Sequence, residues 1–291
     1  MRYKLPFRIV GEKINMLSKQ EISSLRAKLF RHLDGIVTGP SAFALKESGV
    51  TDYLLANKKV DLQTLTEKFK ANDGYLNVAL RVMCSQGWLL QHLNNQNNSI
   101  SFEINEASET AFNHFYMYEE AVQLLQMSEK YHTRKFELEP FLKLERTFKK
   151  YKNHFDVELS SHQEIRRIQD QILSHVEGII LGPTFVLLGM TGMFHKYFME
   201  ARFQPDEFHK DPAAFGRLLD ILTELNCFNK IGDSYEFTDQ GLFFARRASA
   251  YGVTVSYIPS LRKLKDLIFG NALILKKMRL LVRTPNFAEC K

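Results

Sequence analysis

The chain has 291 residues, 45% of them hydrophobic and 25% charged, with 23 phenylalanines against one tryptophan and a formal net charge of +6. This is ordinary globular usage with room for about two domains, which excludes a disordered or fibrous chain. Three scattered cysteines, Cys84, Cys227 and Cys290, form no CxxC pair. That excludes a disulfide framework and a zinc site, and points to a reducing, cytoplasmic compartment.

Residues 1–34 read as an N-terminal helical lead, with no apolar run of secretory length after Met1. A repeat then begins. Asp34-Gly35-Ile36-Val37-Thr38-Gly39-Pro40-Ser41 aligns with Glu177-Gly178-Ile179-Ile180-Leu181-Gly182-Pro183-Thr184 at a constant offset of 143, and the same offset pairs Ser48-Gly49-Val50 with Thr191-Gly192-Met193. In each copy Gly-Pro is predicted to open a short helix, because proline's fixed φ suits a first helical turn. Short helices are predicted next around Tyr53–Ala56 and Lys196–Met199. A third begins after Asp61 or Pro205 and ends near Phe69 or His209.

The fourth helix of each copy has the clearest signals. Asn72 and Asp73 offer a cap before the apolar stripe of Leu76, Leu80 and Met83, and Gly87 stops it. In the second copy Asp211 caps, Pro212 takes the first turn, Phe215, Leu218 and Leu222 form the stripe, and Asn226 stands where Gly87 stood. A strand, a polar loop at Asn94–Ser99 and a second strand follow in copy one. Copy two has Cys227-Phe228, a tight turn at Gly232-Asp233, then Tyr235 to Thr238. Helices closed by a two-stranded wing make a winged helix.

The predicted fold is therefore mainly α, with two tandem winged-helix units and small β-wings joined by long helices. The divisions are 1–34 lead, 35–110 first unit, 111–175 helical connector, 176–258 second unit, and 259–291 C-terminal basic helix and tail. Gly178 to Phe194 is 17 residues without a charge, at the lower length limit for a membrane span and interrupted by four further glycines and prolines, so it reads as a buried helix.

The repeat resembles the N-terminal winged-helix region of class I S-adenosylmethionine-dependent methyltransferases of the O-methyltransferase and polyketide-pathway type. Ala44-Leu45 through Gly49-Val50, Tyr53-Leu54, Leu65 to Phe69, and Leu80 through Gly87-Trp88-Leu89 carry the likeness. In the second copy Phe237-Thr238-Asp239-Gln240-Gly241 is similar to that family's F/L-T-x-x-G step after the wing. Tyr257-Ile258-Pro259, Leu264, Leu267 and Phe269-Gly270 look like the segment leading into its catalytic domain. The departure is as informative. Such enzymes hold the cofactor in a Rossmann-like domain beyond this point, whereas 21 residues follow Gly270 and no GxGxxG occurs. The expectation is a non-catalytic or truncated relative, with no cofactor in this chain.

The resemblance implies units that mediate dimerisation or cover an acceptor pocket. The candidate interface or pocket residues are Ile179, Leu181, Phe185, Leu188, Met190 and Phe194, flanked by His175 and His195. The partners expected are a second copy of the chain or a separate methyltransferase chain served in trans. The alternative is a tandem winged-helix regulator of nucleic acid, with candidate contacts Asn77, Arg81, Lys149, Lys150 and Lys152. Asp220 and Glu224 beside Arg217 make the second recognition helix a poor DNA reader, which disfavours that alternative. No HExxH, GxSxG, P-loop or other catalytic spacing occurs. The basic C-terminal helix with its leucines is compatible with an anionic membrane, but a helix packed on protein is favoured.

Overall fold

A computed structural model describes residues 17–96, 98–126, 138–199, 202–209 and 211–270. The basic residues Lys130, Arg134 and Lys135 of the connector, and Lys276, Lys277, Arg279 and Arg283 of the predicted C-terminal basic helix, lie outside the described residues. The chain divides into two compact units. One comprises residues 37–119, 160–169 and from 259 onward, and the other the residues up to 36 with 120–159 and 170–258. Residues 120–159 of the predicted connector group with the second of these units and 160–169 with the first. The predicted boundary between 34 and 35 falls inside helix α1 (Lys19–Glu47).

In the unit carrying the first copy, α2 (Val50–Asn57), β1 (Lys59–Asp61), α3 (Leu62–Phe69) and α4 (Asp73–Ser85) precede β2 (Leu90–Asn94) and β3 (Ser99–Glu103). The three strands are antiparallel in the order β1-β3-β2, with Phe102 opposite both Val60 and Gln91. The Asn72 side chain caps α4 by accepting from the Tyr75 amide at 3.1 Å. Leu76, Leu80 and Met83 turn inward, and α5 (Ser108–Asn113) closes the core, with Trp88 and Phe112 packed on Phe115. Strand β1 is an addition to the sequence reading. Its three residues, Lys59-Val60-Asp61, are too few for a visible alternation.

The other unit contains α6 (Glu119–Gln126), α7 (Leu138–Lys152), most of α8 (Gln163–Met190), and α9 (Met193–Met199), α10 (Pro212–Glu224), β4 (Phe228–Ile231), β5 (Ser234–Phe237), α11 (Asp239–Ala245) and α12 (Ala248–Val255). Asp211 caps α10 by accepting from the Ala214 amide at 3.0 Å, as predicted. Phe228 and Phe237 face each other across the wing with ring centroids 4.6 Å apart. The first strand of this copy is reduced to one bridge between Phe203 and Tyr235, and its predicted third helix to a single 3-10 turn at Pro205–Glu207. Both copies are winged helices, the second with a shorter first strand.

The Gly-Pro steps correct the sequence reading. Pro40 and Pro183 lie inside α1 and α8 rather than opening new helices. An interior proline removes one backbone hydrogen bond and crowds the preceding turn, at a cost of about 3 kcal/mol. Packing offsets it here, because Ile36, Ile179, Ile180 and Leu181 around the two breaks are buried. Among the described residues α8 is long and apolar enough to cross a membrane, yet 83% of its most apolar window is buried inside the chain.

Candidate functional site

The predicted interface residues of α8 are already covered. Ile179, Leu181 and Phe185 are wholly buried, and Leu188 and Phe194 nearly so. The Phe185 ring packs on Phe194, Phe244 and Tyr251 at centroid distances of 5.4, 6.5 and 6.2 Å. Met190, at 56% exposure, and His195 stay at the surface. Beside this stretch Leu124, Leu125 and Leu144 meet Ile179, Ile180, Pro183 and Thr184 around a small apolar crevice. Thr184 spends its hydroxyl on the Ile180 carbonyl at 2.7 Å, so it presents no donor to a ligand.

A buried polar cluster lies one turn before that stretch, and of its members only His175 is among the predicted site residues. Glu177 accepts from the Tyr151 hydroxyl at 2.8 Å and pairs with Lys28 Nζ at 2.6 Å. His32 Nε2 lies 3.5 Å from the same carboxylate, and His32 Nδ1 lies 2.8 Å from the Tyr251 hydroxyl. Burial works to raise Glu177, but His32, Lys28 and their hydrogen bonds outweigh it and hold the carboxyl at about 2. Burial lowers His32 despite Glu177, so the ring is neutral and the 3.5 Å contact is no ion pair. With Nε2–H turned to Glu177, Nδ1 accepts from Tyr251. His175 is fully buried, and burial, with the nearby Arg31 charge, pushes it down to about 3. Lys28 is one-third exposed and Tyr151 half-buried, while Glu177, His32 and His175 are buried, so the cluster is a lock between helices rather than a surface that meets a substrate.

The resemblance motif after the second wing has a local cause. Thr238 caps α11 by accepting from the Gly241 amide at 2.9 Å. A Cβ on Gly241 would stand 1.8 Å from the Cys227 carbonyl oxygen, so the helix start packs against the strand only if this residue is glycine. The Thr-x-x-Gly spacing is thus a cap plus a close approach. Burial raises the Cys227 thiol, which is inert.

Helix α10 is the recognition helix of the second copy, and its polar face is taken. Arg217 makes a two-pronged contact with Glu145 of α7 at 2.9 and 2.7 Å and lies 4.7 Å over the Phe141 ring. Glu224 pairs with Lys152 at 2.7 Å, and Asp220 pairs with Lys230 while accepting from the Tyr235 hydroxyl. Helix α7 is held from its inner side too, with Phe141 and Leu144 buried and Lys143 paired with Glu120.

The predicted nucleic-acid contacts are dispersed by these pairings. Lys150 pairs with Glu120 at 3.0 Å and Lys152 with Glu224, while Lys149 and Arg81 are exposed. Asn77 is half-buried with its Oδ1 enclosed, so it does not face outward. The exposed face of α4 instead carries Tyr75 and Val78. Its N-terminus is held by α13 (Leu264–Phe269), where the Asn72 amide donates to the Ile268 carbonyl at 2.7 Å.

Fold and pairing together define a winged-helix protein whose second recognition helix is used for internal packing. Comparison with known families divides the chain in the same two places. Residues 25–91 match the AprA N-terminal domain, and residues 177–271 match the AprA winged helix domain. No curated protein matches the chain.

Proposed function

We propose that the chain is a non-catalytic winged-helix module of a methyltransferase system, which serves assembly with a catalytic chain or domain and covers the acceptor pocket there. The observation that carries this reading is the occupation of α10 by α7. A recognition helix whose arginine is clamped by Glu145, whose Thr223 hydroxyl donates to the Leu219 carbonyl, and whose remaining charged side chains are two carboxylates, offers a DNA major groove no free donor array. Such a winged helix serves protein packing.

The likeness of both copies to methyltransferase winged-helix regions, and the absence of a glycine-rich phosphate turn from the sequence, support placing the chemistry outside these 291 residues. The test has two arms. Labelled duplex DNA, titrated with the chain across a salt series, should give no anisotropy change at low salt. Titration calorimetry with S-adenosylmethionine should give no heat with the chain alone. Submicromolar DNA binding that weakens steeply with salt overturns the reading in favour of a nucleic-acid regulator. Binding of S-adenosylmethionine by the isolated chain overturns its non-catalytic part.

A further inference from the structure

Helices α1 and α8 cross at two glycines, and the crossing is reciprocal. A Cβ on Gly35 would stand 2.4 Å from the Cα and the carbonyl oxygen of His175. A Cβ on Gly178 would stand 2.3 Å from the Cα of His32 and 2.4 Å from its carbonyl oxygen. Gly35 and Gly178 are equivalent in the repeat, and so are His32 and His175, each pair 143 residues apart. The contact therefore exchanges partners when the copies are exchanged. That reciprocity is the property of an isologous interface, in which residue i of one subunit meets j of the other while j meets i. Nothing in helix packing alone requires two repeat-equivalent glycines to sit on each other's histidines.

We infer that this crossing is a homodimer-type contact formed within one chain, the repeat-equivalent segments around Gly35 of α1 and Gly178 of α8 being each other's partner, so that these two helix faces are closed to a second molecule. The inference stands on the crossing and the repeat, and is independent of the proposed methyltransferase role.

Divergence between the copies fits an intramolecular pairing. In a true homodimer every contact occurs twice. Here the residue equivalent to Glu177 is Asp34, which is exposed, whereas Glu177 holds Lys28, His32 and Tyr151. A fused pair, unlike two identical subunits, can elaborate one side of a symmetric contact and leave the other bare.

The test is a protease site inserted in the irregular segment 157–161 of the full chain, which separates α1 from α8 on cutting. The nicked protein should elute as a one-to-one complex of its two fragments and should not exchange them with an isotopically labelled nicked chain at micromolar concentration. Gly35→Ala and Gly178→Ala should each raise the dissociation constant of the nicked pair by about tenfold or more, a loss of roughly 1.4 kcal/mol. Gly241→Ala, whose clash lies within one fragment, should destabilise the uncut chain without that effect. Fragments that separate or exchange freely in the unsubstituted protein overturn the inference. So does a nicked pair insensitive to both crossing glycines, or equally sensitive to Gly241→Ala. Should an alanine variant fail to fold uncut, the exchange experiment on the unsubstituted protein still decides.

Discussion

Tyr151 of α7 donates its hydroxyl to Glu177 of α8 across 2.8 Å, and this ties the helix that covers α10 to the helix that crosses α1. Glu177 is thus the single acceptor shared by three elements, with Lys28 of α1 on its other oxygen. Both phenol and carboxylate are largely removed from water, so neither can replace the other with solvent.

Glu177→Ala should therefore destabilise the chain strongly. The substitution leaves the Tyr151 hydroxyl and the His32 ring without their acceptor, and breaking a buried charged contact in this way costs about 3–5 kcal/mol. Lys28 can swing into water, so Lys28→Ala should cost much less, about 1 kcal/mol. Urea denaturation of the two single variants and the double variant checks this. A coupling energy near zero between Lys28 and Glu177 would show that the pair is not linked in solution.

Stability should fall as the solution is acidified below neutral. His175 is held at about 3 against an ordinary value of 6.5, and Glu177 at about 2 against 4.5. Both folded values are depressed, so the unfolded chain binds more protons in between. The His175 contribution is complete above pH 6.5 and is lost as pH falls toward 3. The Glu177 contribution is complete above 4.5 and is lost toward 2. Each group changes the folding constant by about tenfold per pH unit inside its window. Urea midpoints measured from pH 7.5 to 4 test the upper limb, which His175→Phe should flatten.

The clamp on α10 makes a prediction with a built-in control. Arg217→Glu sets a second carboxylate against Glu145 and removes the stacking on Phe141. Arg217 and Glu145 are half and one-third exposed, so solvent screens the pair and the loss should be modest, a small fall in melting temperature. Glu145→Arg in the same chain should recover part of it. Equal melting temperatures for the single and the charge-swapped double variant would mean that the clamp does not form in solution.

What the sequence made legible follows from how local each cause is. The caps Asn72 and Asp211, the stripes they introduce and the Gly232-Asp233 turn are set within a few residues of one another, and the structure has them all. Gly39-Pro40 and Gly182-Pro183 misled because a proline's local preference for a first turn was overridden by burial on both sides of it. The α10 clamp was invisible because Glu145 and Arg217 are 72 residues apart in sequence. Glu177 left one signal unread. A carboxylate directly before 17 uncharged residues, at a position where the other copy has a shorter Asp34, needs a buried partner.

The helix-stop residue of the second copy gives the last test. Asn226 adopts φ +57, the left-handed region, where Gly87 of the first copy has φ +78. Its carbonyl accepts from the Thr238 hydroxyl at 2.6 Å, which fixes the strand after the wing. Asparagine tolerates this conformation better than other non-glycine residues, but still less well than glycine. Asn226→Gly should therefore leave stability within about 0.5 kcal/mol of the parent, its gain in the cap offset by a more flexible unfolded chain. Asn226→Val should cost about 1–2 kcal/mol, because a β-branched side chain is strained at positive φ. Since the strain depends only on the backbone at that one residue, Gly87→Asn and Gly87→Val should show the same ranking. A melting series in which valine is tolerated at either position would mean that the helix does not end through a left-handed residue there.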